Sequence, residues 1–416
     1  MYEISQPEDL AILVALAPHE EELDELAELV ETSGSKVVGR MVQPRDKAHP
    51  GHYIGKGKLE ELENLIGLTN ATAIVCDDEL SSAQQRGLAN ALDVKILDRT
   101  MVILDIFASR ANTSEGKLQV ELAQLSYNIS HLSGLGKQLS RLGGGIGTRG
   151  PGEKKLETDR RHIRTRLTEL EGALGDVRRH RATARAQRKR SGVAVVSLVG
   201  YTNAGKSTLL NSLCLTDTLA QDKLFATLDT TTRSLELPGG MNALLTDTVG
   251  FIRKLPHGLI RAFRATLEEL QHSDLLLHVV DSANPYAQEQ IGVVNKTLEE
   301  LGCFTYVITV LNKVDVAPDG QNIEISGESV PISAKTGQGL DELRLAIAQA
   351  LGRDRRSMSV LIPYEDGQGL ALVYALAGSS AAQLLSREEQ GMGSLFELVV
   401  TEAAYMRLQK YSVTML

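Results

Sequence analysis

The motif with the clearest chemical role is residues 200–207, which read Gly-Tyr-Thr-Asn-Ala-Gly-Lys-Ser. The apolar run Val-Ala-Val-Val-Ser precedes it and a helix is expected after it, a setting in which backbone amides bind phosphate oxygens. Lys206 would then reach the β- and γ-phosphates of a nucleotide, and the Ser207 hydroxyl would ligate Mg²⁺. The predicted phosphate-binding residues are Gly200, Tyr201, Thr202, Asn203, Ala204, Gly205, Lys206, Ser207 and Thr208. The alternative is an ordinary glycine-rich turn.

A second motif, Asp247-Thr248-Val249-Gly250, follows the apolar stretch Asn-Ala-Leu-Leu-Thr. A carboxylate at the end of a strand can hold Mg²⁺ through water, and the Gly250 amide can donate to a γ-phosphate. The two motifs together predict a nucleoside triphosphate with Mg²⁺, and they make Lys206 and Gly250 candidate catalytic residues.

Two further motifs could select the base. In Asn312-Lys313-Val314-Asp315 the carboxylate is an acceptor suited to the N1–H and N2–H₂ donors of guanine, a pair that adenine lacks. In Ser333-Ala334-Lys335 the Ala334 amide could donate to guanine O6. The predicted substrate is therefore GTP, with GDP as the product.

These four motifs need a scaffold that brings them together. Strands and helices alternate over residues 192–354 in the order typical of a doubly wound, mainly parallel sheet. Every motif follows a predicted strand, so all four are expected at one rim of the sheet, where open α/β folds bind ligands. The sequence thus predicts an α/β GTPase domain at 192–354.

Three other segments flank this domain. Alternating elements predict a small α/β domain over 1–109, and the tail at 355–416 predicts a small α+β domain. Between them, residues 110–191 contain two apolar stripes with heptad spacing, separated by a glycine-rich stretch. We expect an antiparallel helical hairpin there, with its leucine stripes packed together, a basic loop at its tip and a linker behind it. The stripes are Leu118, Leu122, Leu125, Ile129 and Leu132, and Ile163, Leu167, Leu170, Leu174 and Val177.

The charge distribution is uneven. The chain has a net charge of −9, yet residues 137–190 hold sixteen Lys and Arg against six Asp and Glu. A basic block in an acidic protein favours contact with nucleic acid, because these side chains release counterions from a phosphate backbone. The alternative is a solvated helix face. The candidate RNA-contacting residues are Lys137, Arg141, Arg149, Lys154 and Lys155.

Composition narrows the class of protein. Hydrophobic residues make up 42% and charged residues 23% of the 416, as in ordinary globular proteins. The N-terminus lacks the pattern of a signal peptide and no apolar run is long enough for a membrane span, so a cytoplasmic location is expected. Cys76, Cys214 and Cys303 are far apart and form no CxxC, so we expect core residues rather than disulfides or a zinc site.

Longer stretches resemble a known family. The motifs place the chain among the translation-factor-related P-loop GTPases, and it is more closely similar to the HflX family of ribosome-associated GTPases. The similarity covers GKLQVELAQLSY at 116–127, LSRLGGGIGTRGPGE at 139–153, FATLD at 225–229 and DTVGFIRKLP at 247–256. Two departures are Lys154, where the family has threonine in GETKLE, and Thr230, where it has proline. The extra charge of Lys154 is expected to make nucleic-acid contact more sensitive to salt.

The resemblance implies that Thr227 is the switch-one threonine, whose hydroxyl joins Mg²⁺ when a γ-phosphate is present, so Thr227 is a third candidate catalytic residue. Thr231 and Thr232 are rival candidates, since residues 216–234 read as one polar, flexible loop. The FATLD residues complete the predicted nucleotide site: Phe225, Ala226, Thr227, Leu228 and Asp229.

Hydrolysis is expected to need help. Phe251 stands where Ras-like GTPases have the glutamine that orients the attacking water, so intrinsic turnover should be slow. In HflX-like proteins the partner is the large ribosomal subunit, and the resemblance implies a switch that splits or rescues stalled ribosomes. The alternatives are a GTP-regulated ribosome-assembly or binding module and an RNA-remodelling ATPase or GTPase. A monomer is expected, because the two heptad stripes can pack within one chain.

Overall fold

The computed structural model describes residues 9–132, 151–191, 193–214, 224–225, 231–238, 240–254, 267–317, 323–353, 355–378 and 381–413. By their contacts these residues form two compact units. The first holds the described residues up to Asp176, together with Leu224, Phe225 and Lys254, and the second holds the rest.

The first unit contains a four-stranded, wholly parallel sheet in the order β2-β1-β3-β4. Its strands are β1 (Leu10–Ala15), β2 (Lys36–Val42), β3 (Ala73–Cys76) and β4 (Lys95–Asp98), and its helices are α1 (Asp24–Thr32), α2 (Lys56–Thr69), α3 (Ser82–Leu92) and α4 (Arg99–Arg110). Caps fix the helix starts: Ser81 and Gln84 form a capping box, and the Asp98 side chain accepts from the Met101 amide. This confirms the predicted α/β domain.

Two long helices follow, α5 (Ser114–Leu132) and α6 (Pro151–Ser191). Arg166 on α6 binds both carboxylate oxygens of Glu121 on α5, at 2.7 and 3.0 Å. Leu170 and Leu174 of the predicted stripe are buried, but on α5 the buried side chains are Gln119, Val120 and Ala123. The α5 stripe residues Leu118, Leu122, Leu125 and Ile129 are half-buried, as are Ile163, Leu167 and Val177 of α6, so the packing of the two stripes stays a prediction. Helix α5 also packs against α3 and α4.

The second unit contains a six-stranded sheet in the order β10-β9-β8-β5-β7-β6, in which only β6 runs antiparallel to its neighbour. The strands are β5 (Ala194–Gly200), β6 (Thr231–Leu237), β7 (Met241–Asp247), β8 (Leu275–Asp281), β9 (Val307–Asn312) and β10 (Ser329–Pro331). The helices are α7 (Lys206–Cys214), α8 (Ala287–Glu300) and α9 (Leu340–Gly352), which bury apolar side chains with the sheet. This confirms the predicted doubly wound, mainly parallel sheet.

Strand β6 corrects one prediction. The predicted loop 216–234 does not extend to residue 234, because Thr231 and Thr232 belong to β6 and pair with Asp247 and Thr246 of β7. The hydroxyl groups of Thr232 and Thr246 lie 3.1 Å apart. Before β8, residues Glu268–His272 form a 3₁₀ turn.

A three-stranded antiparallel sheet closes the chain in the order β11-β13-β12. It consists of β11 (Arg355–Pro363), β12 (Ala382–Gln390) and β13 (Gly393–Thr401), with helices α10 (Gly367–Ala377) and α11 (Glu402–Leu408). The predicted α+β fold of this segment is confirmed. Cys76 and Cys303 are buried and Cys214 is half-buried.

Candidate active site

The glycine-flanked loop at 200–207 runs from the end of β5 to the start of α7, as predicted. A Cβ at Gly200 would lie 2.2 Å from the Val279 carbonyl oxygen, and one at Gly205 would lie 2.2 Å from the Asn312 side-chain nitrogen. Gly205 also has a left-handed φ of +92°. Both positions therefore require glycine, and the loop forms a tight backbone cradle. Inside it, the buried Thr202 hydroxyl finds no hydrogen-bond partner among the described residues.

Lys206 lies folded within this loop. Its ammonium donates to the carbonyl oxygens of Gly200 and Tyr201 at 3.1 and 2.7 Å, and the residue is 6% exposed. Burial lowers the pKa of Lys206 to about 8, although Asp247 acts in the opposite direction. The site thus holds a cation that anionic oxygens would stabilise.

Ser207 and Asp247 meet beside the loop. The Ser207 hydroxyl donates to one oxygen of the Asp247 carboxylate at 2.7 Å, and the other oxygen accepts from the Thr248 amide at 2.9 Å. Mg²⁺ takes one or two protein oxygens and completes its octahedron with phosphate and water. This hydroxyl and carboxylate fit that donor set and could hold the ion.

Phe251 joins the loop through its backbone. The Thr202 amide donates to the Phe251 carbonyl oxygen at 2.8 Å, and the Phe251 amide donates to the Gly200 carbonyl oxygen at 3.1 Å. The Phe251 side chain is 3% exposed, and its phenyl ring has no polar group that could orient a water. Next to it, a Cβ at Gly250 would lie 3.0 Å from the Lys206 ammonium. The Gly250 backbone thus lies directly against the phosphate loop.

Asn312 links two of the predicted motifs. Its side-chain nitrogen donates to the Ala204 carbonyl oxygen, and its side-chain oxygen accepts from the Ala334 amide, each at 2.9 Å. Guanine O6 would therefore compete with Asn312 for the Ala334 donor. Asp315 is exposed, and within the described parts of the chain no side chain pairs with its carboxylate. Ser333 is fully buried and Lys335 is exposed.

Comparison with known proteins agrees with this geometry. Family models described as "GTP-binding GTPase N-terminal", "GTP-binding GTPase Middle Region" and "50S ribosome-binding GTPase" match residues 20–108, 110–188 and 195–313. The protein "GTPase HflX" of Lacrimispora saccharolytica is 52% identical over 98% of this chain and 97% of its own length. The chain belongs to the HflX family of GTPases. The "GTPase HflX" of Escherichia coli K12 is 41% identical over 90% of this chain and 89% of its own length.

Membership of the HflX family makes the protein a GTPase with GTP as its substrate. In the parts of the chain that the structure describes, no helix is both long and apolar enough to cross a membrane. The same parts contain no cluster of three or more His, Cys, Asp and Glu side chains that could hold a metal.

Several predicted residues fall outside the described ranges. These are Ala226, Thr227, Leu228 and Asp229 of the HflX-like FATLD motif, and Lys137, Arg141 and Arg149 of the basic loop. Lys154 and Lys155 were predicted in that loop, but their backbone belongs to α6, which begins at Pro151. Proline is favoured in the first helical turn, a signal that could have placed this helix start.

Asp281 and His278 were not identified from the sequence as neighbours of the site. Lys313 pairs with Asp281 at the end of β8, at 2.7 Å. The Tyr201 hydroxyl accepts from the Arg253 amide at 2.8 Å. His278 is buried in β8, where burial and then Lys206 lower its pKa to about 4. Asp281 ends a predicted strand, and that position was the available signal for it.

The lowered pKa of Lys206 makes a testable prediction. Between about 8 and the ordinary value of 10.5, the unfolded chain holds a proton here that the folded chain lacks, so this group increases stability as the pH rises through that window. The negative charge of bound nucleotide phosphates would raise the pKa of Lys206, so nucleotide binding would be accompanied by uptake of a proton. Calorimetric titration with GDP in buffers of different ionisation enthalpy should therefore show more proton uptake at about pH 8.5 than at about pH 7. Equal uptake at both values would contradict a buried, titrating lysine at the phosphates.

Proposed function

We propose that the protein is a GTP-hydrolysing switch that binds the large ribosomal subunit and splits or rescues stalled ribosomes. The observation that carries this proposal is Phe251, buried and hydrogen-bonded to the phosphate loop at the position of a catalytic glutamine. Phe251 itself cannot orient water, so the group that does so comes from elsewhere in the chain or from a bound partner, and a partner is the alternative proposed here. The match of residues 195–313 to a ribosome-binding GTPase model supports a ribosomal partner.

Within this proposal Lys206 binds the β- and γ-phosphates, and Ser207 holds Mg²⁺ directly while Asp247 holds it through water. The ion would neutralise charge on the phosphates. The Gly250 amide meets the γ-phosphate, Thr227 joins the ion in the GTP state, and Asp315 reads guanine. Thr232 is the weaker rival for the switch threonine, because its hydroxyl already pairs with that of Thr246.

In this proposal the helical hairpin of residues 110–191 supplies affinity for RNA. Arg161, Arg164, Arg178 and Arg179 of α6 are exposed. Each arginine that reaches a phosphate releases counterions, so binding should weaken steeply as salt increases. Lys137, Arg141, Arg149, Lys154 and Lys155 are proposed to extend this basic surface.

GTP turnover tests the proposal. Large ribosomal subunits should accelerate hydrolysis by at least about tenfold, because one well-placed catalytic group is worth that or more, and the acceleration should fade between about 50 and 200 mM salt. Small subunits at equal concentration serve as the matched control. Sound GTP binding without acceleration by large subunits would instead favour the assembly or binding module, which Phe251 also permits.

The remaining assignments follow from the same proposal. We infer a cytoplasmic location and a monomeric state, the latter because the two heptad stripes of residues 110–191 can pack within one chain. The proposed domains are 1–109, 110–191, 192–354 and 355–416. An RNA-remodelling ATPase is disfavoured at this site by the exposed acceptor of Asp315, which matches no donor pair on adenine.

A further inference from the structure

Two neighbouring strands of the second unit end side by side, and the residues that follow them contact each other. Asp281 ends β8 and lies opposite Asn312, which ends β9. The amide and the hydroxyl of the buried Ser282 both donate to the Asn312 carbonyl oxygen, at 2.9 and 2.6 Å. The segment after β8 therefore holds the peptide that joins Asn312 to Lys313.

The Asp281 carboxylate is fixed by two different donors. One oxygen binds the Lys313 ammonium at 2.7 Å, and the other accepts from the Ala283 amide at 3.0 Å. The Asp281 side chain is 14% exposed and that of Lys313 is 29% exposed, so water screens this ion pair only in part. The charged end of Lys313 is thus bound to the end of β8 rather than left in solvent.

Lys313 begins the turn that carries Asp315. It has a left-handed φ of +67°, a conformation that bulky residues adopt only when their surroundings impose it. Its carbonyl oxygen accepts from the amides of Val316 and Ala317 at 3.1 and 3.0 Å, so it closes a turn around Asp315. Two residues span at most about 7 Å, and the position of Lys313 therefore limits where the Asp315 carboxylate can lie.

We propose that Asp281 is a positioning residue for guanine selection. Through its ion pair with Lys313 it holds the turn in the form that presents the Asp315 carboxylate to the N1–H and N2–H₂ donors of the base. The carboxylate accepts from both donors only if its two oxygens lie near the plane of the base. A turn released from β8 would let Asp315 leave that plane, which weakens this pair of hydrogen bonds. The inference rests on the role in reading guanine proposed above for Asp315.

The test compares affinities for GDP and for inosine diphosphate (IDP), whose base keeps N1–H and lacks the 2-amino group. Asp281→Asn leaves an oxygen for the Ala283 amide and removes the charge that binds Lys313. We expect GDP affinity to fall by about 3- to 10-fold, between the effects of breaking an exposed and a buried ion pair. IDP affinity should fall by a smaller factor, because IDP makes one of the two hydrogen bonds. The KM for GTP should rise as GDP affinity falls, with kcat unchanged, because the base does not react.

Two further variants show whether Asp281 acts through Lys313. Asp341→Asn, at a 94% exposed aspartate of α9 that pairs with Arg344, is the matched control and should change neither affinity. In a Lys313→Met background, Asp281→Asn should have little additional effect, because the ion pair is already absent. Additive losses would mean that Asp281 does not act through Lys313 and would overturn the inference.

Asp315→Asn separates the two ways of failing. If it abolishes the preference for GDP over IDP and Asp281→Asn leaves that preference intact, the positioning inference is wrong while the proposed guanine contact stands. If neither variant changes the preference, Asp315 does not read the base and the proposed contact is wrong as well. Equal losses of GDP and IDP affinity in Asp281→Asn would show a merely structural ion pair and would also overturn the inference.

Discussion

Asp315→Asn is expected to lower affinity for GTP by about 100- to 1,000-fold and to create affinity for xanthosine triphosphate. In the proposed site the exposed carboxylate would accept two hydrogen bonds from guanine, and each bond to a charged group is worth about 1.5–3 kcal/mol. Asparagine presents one donor and one acceptor in the same place, which suits the xanthine edge, where an oxygen replaces the amino group. Equilibrium binding of fluorescent GTP and XTP analogues measures both changes.

The control for this variant is Asp93→Asn, at an exposed residue with left-handed φ of +35° that asparagine tolerates well. It should bind GTP normally. If Asp315→Asn loses GTP without gaining XTP, Asp315 supports the loop rather than reading the base. Unchanged GTP affinity would remove Asp315 from the site.

The nucleotide site could be predicted because each of its motifs is a short local string. Gly200 and Gly205 adopt a backbone geometry that other residue types cannot follow, so their spacing, together with the strand before and the helix after, indicates the loop. Strand ends of a parallel sheet meet at one rim, so the order of strands and helices brought the distant motifs together correctly.

Long-range partners could not be predicted in the same way. Lys254 and Asp77 are 177 residues apart, and no sequence motif indicates that they form a pair. Arg99 looks in sequence like any first-turn helix residue, yet it is 2% exposed between Glu25 and Asp77. Charged residues are normally solvated, so a buried pair appears only once the tertiary packing is known.

The two missed strands share a cause. In β12, Ala382–Gln390, most side chains are exposed, so the alternation that marks a half-buried strand is absent. In β6 alternation exists, with Leu235 and Leu237 buried, but the preceding threonines resemble a polar loop. Both strands lie at the edge of their sheet, where packing on one side only leaves a weak pattern.

Gly250→Ala is expected to lower GTP turnover by about 100-fold, the usual cost of misplacing one donor to a transferring phosphoryl group. A methyl group there would lie 2.9 Å from the Thr202 methyl and 3.0 Å from the Lys206 ammonium. The segment must then move away from the phosphate loop and take its amide out of reach of a γ-phosphate. GDP has no such phosphate and should bind within a few-fold of normal. Single-turnover hydrolysis and GDP titration together therefore separate loss of the γ-phosphate contact from loss of nucleotide binding.

Gly292→Ala, on α8 where an added Cβ would meet open space, is the matched control and should leave turnover unchanged. Equal loss of GDP binding and turnover in Gly250→Ala would mean that the methyl group disrupts the whole loop rather than the γ-phosphate contact.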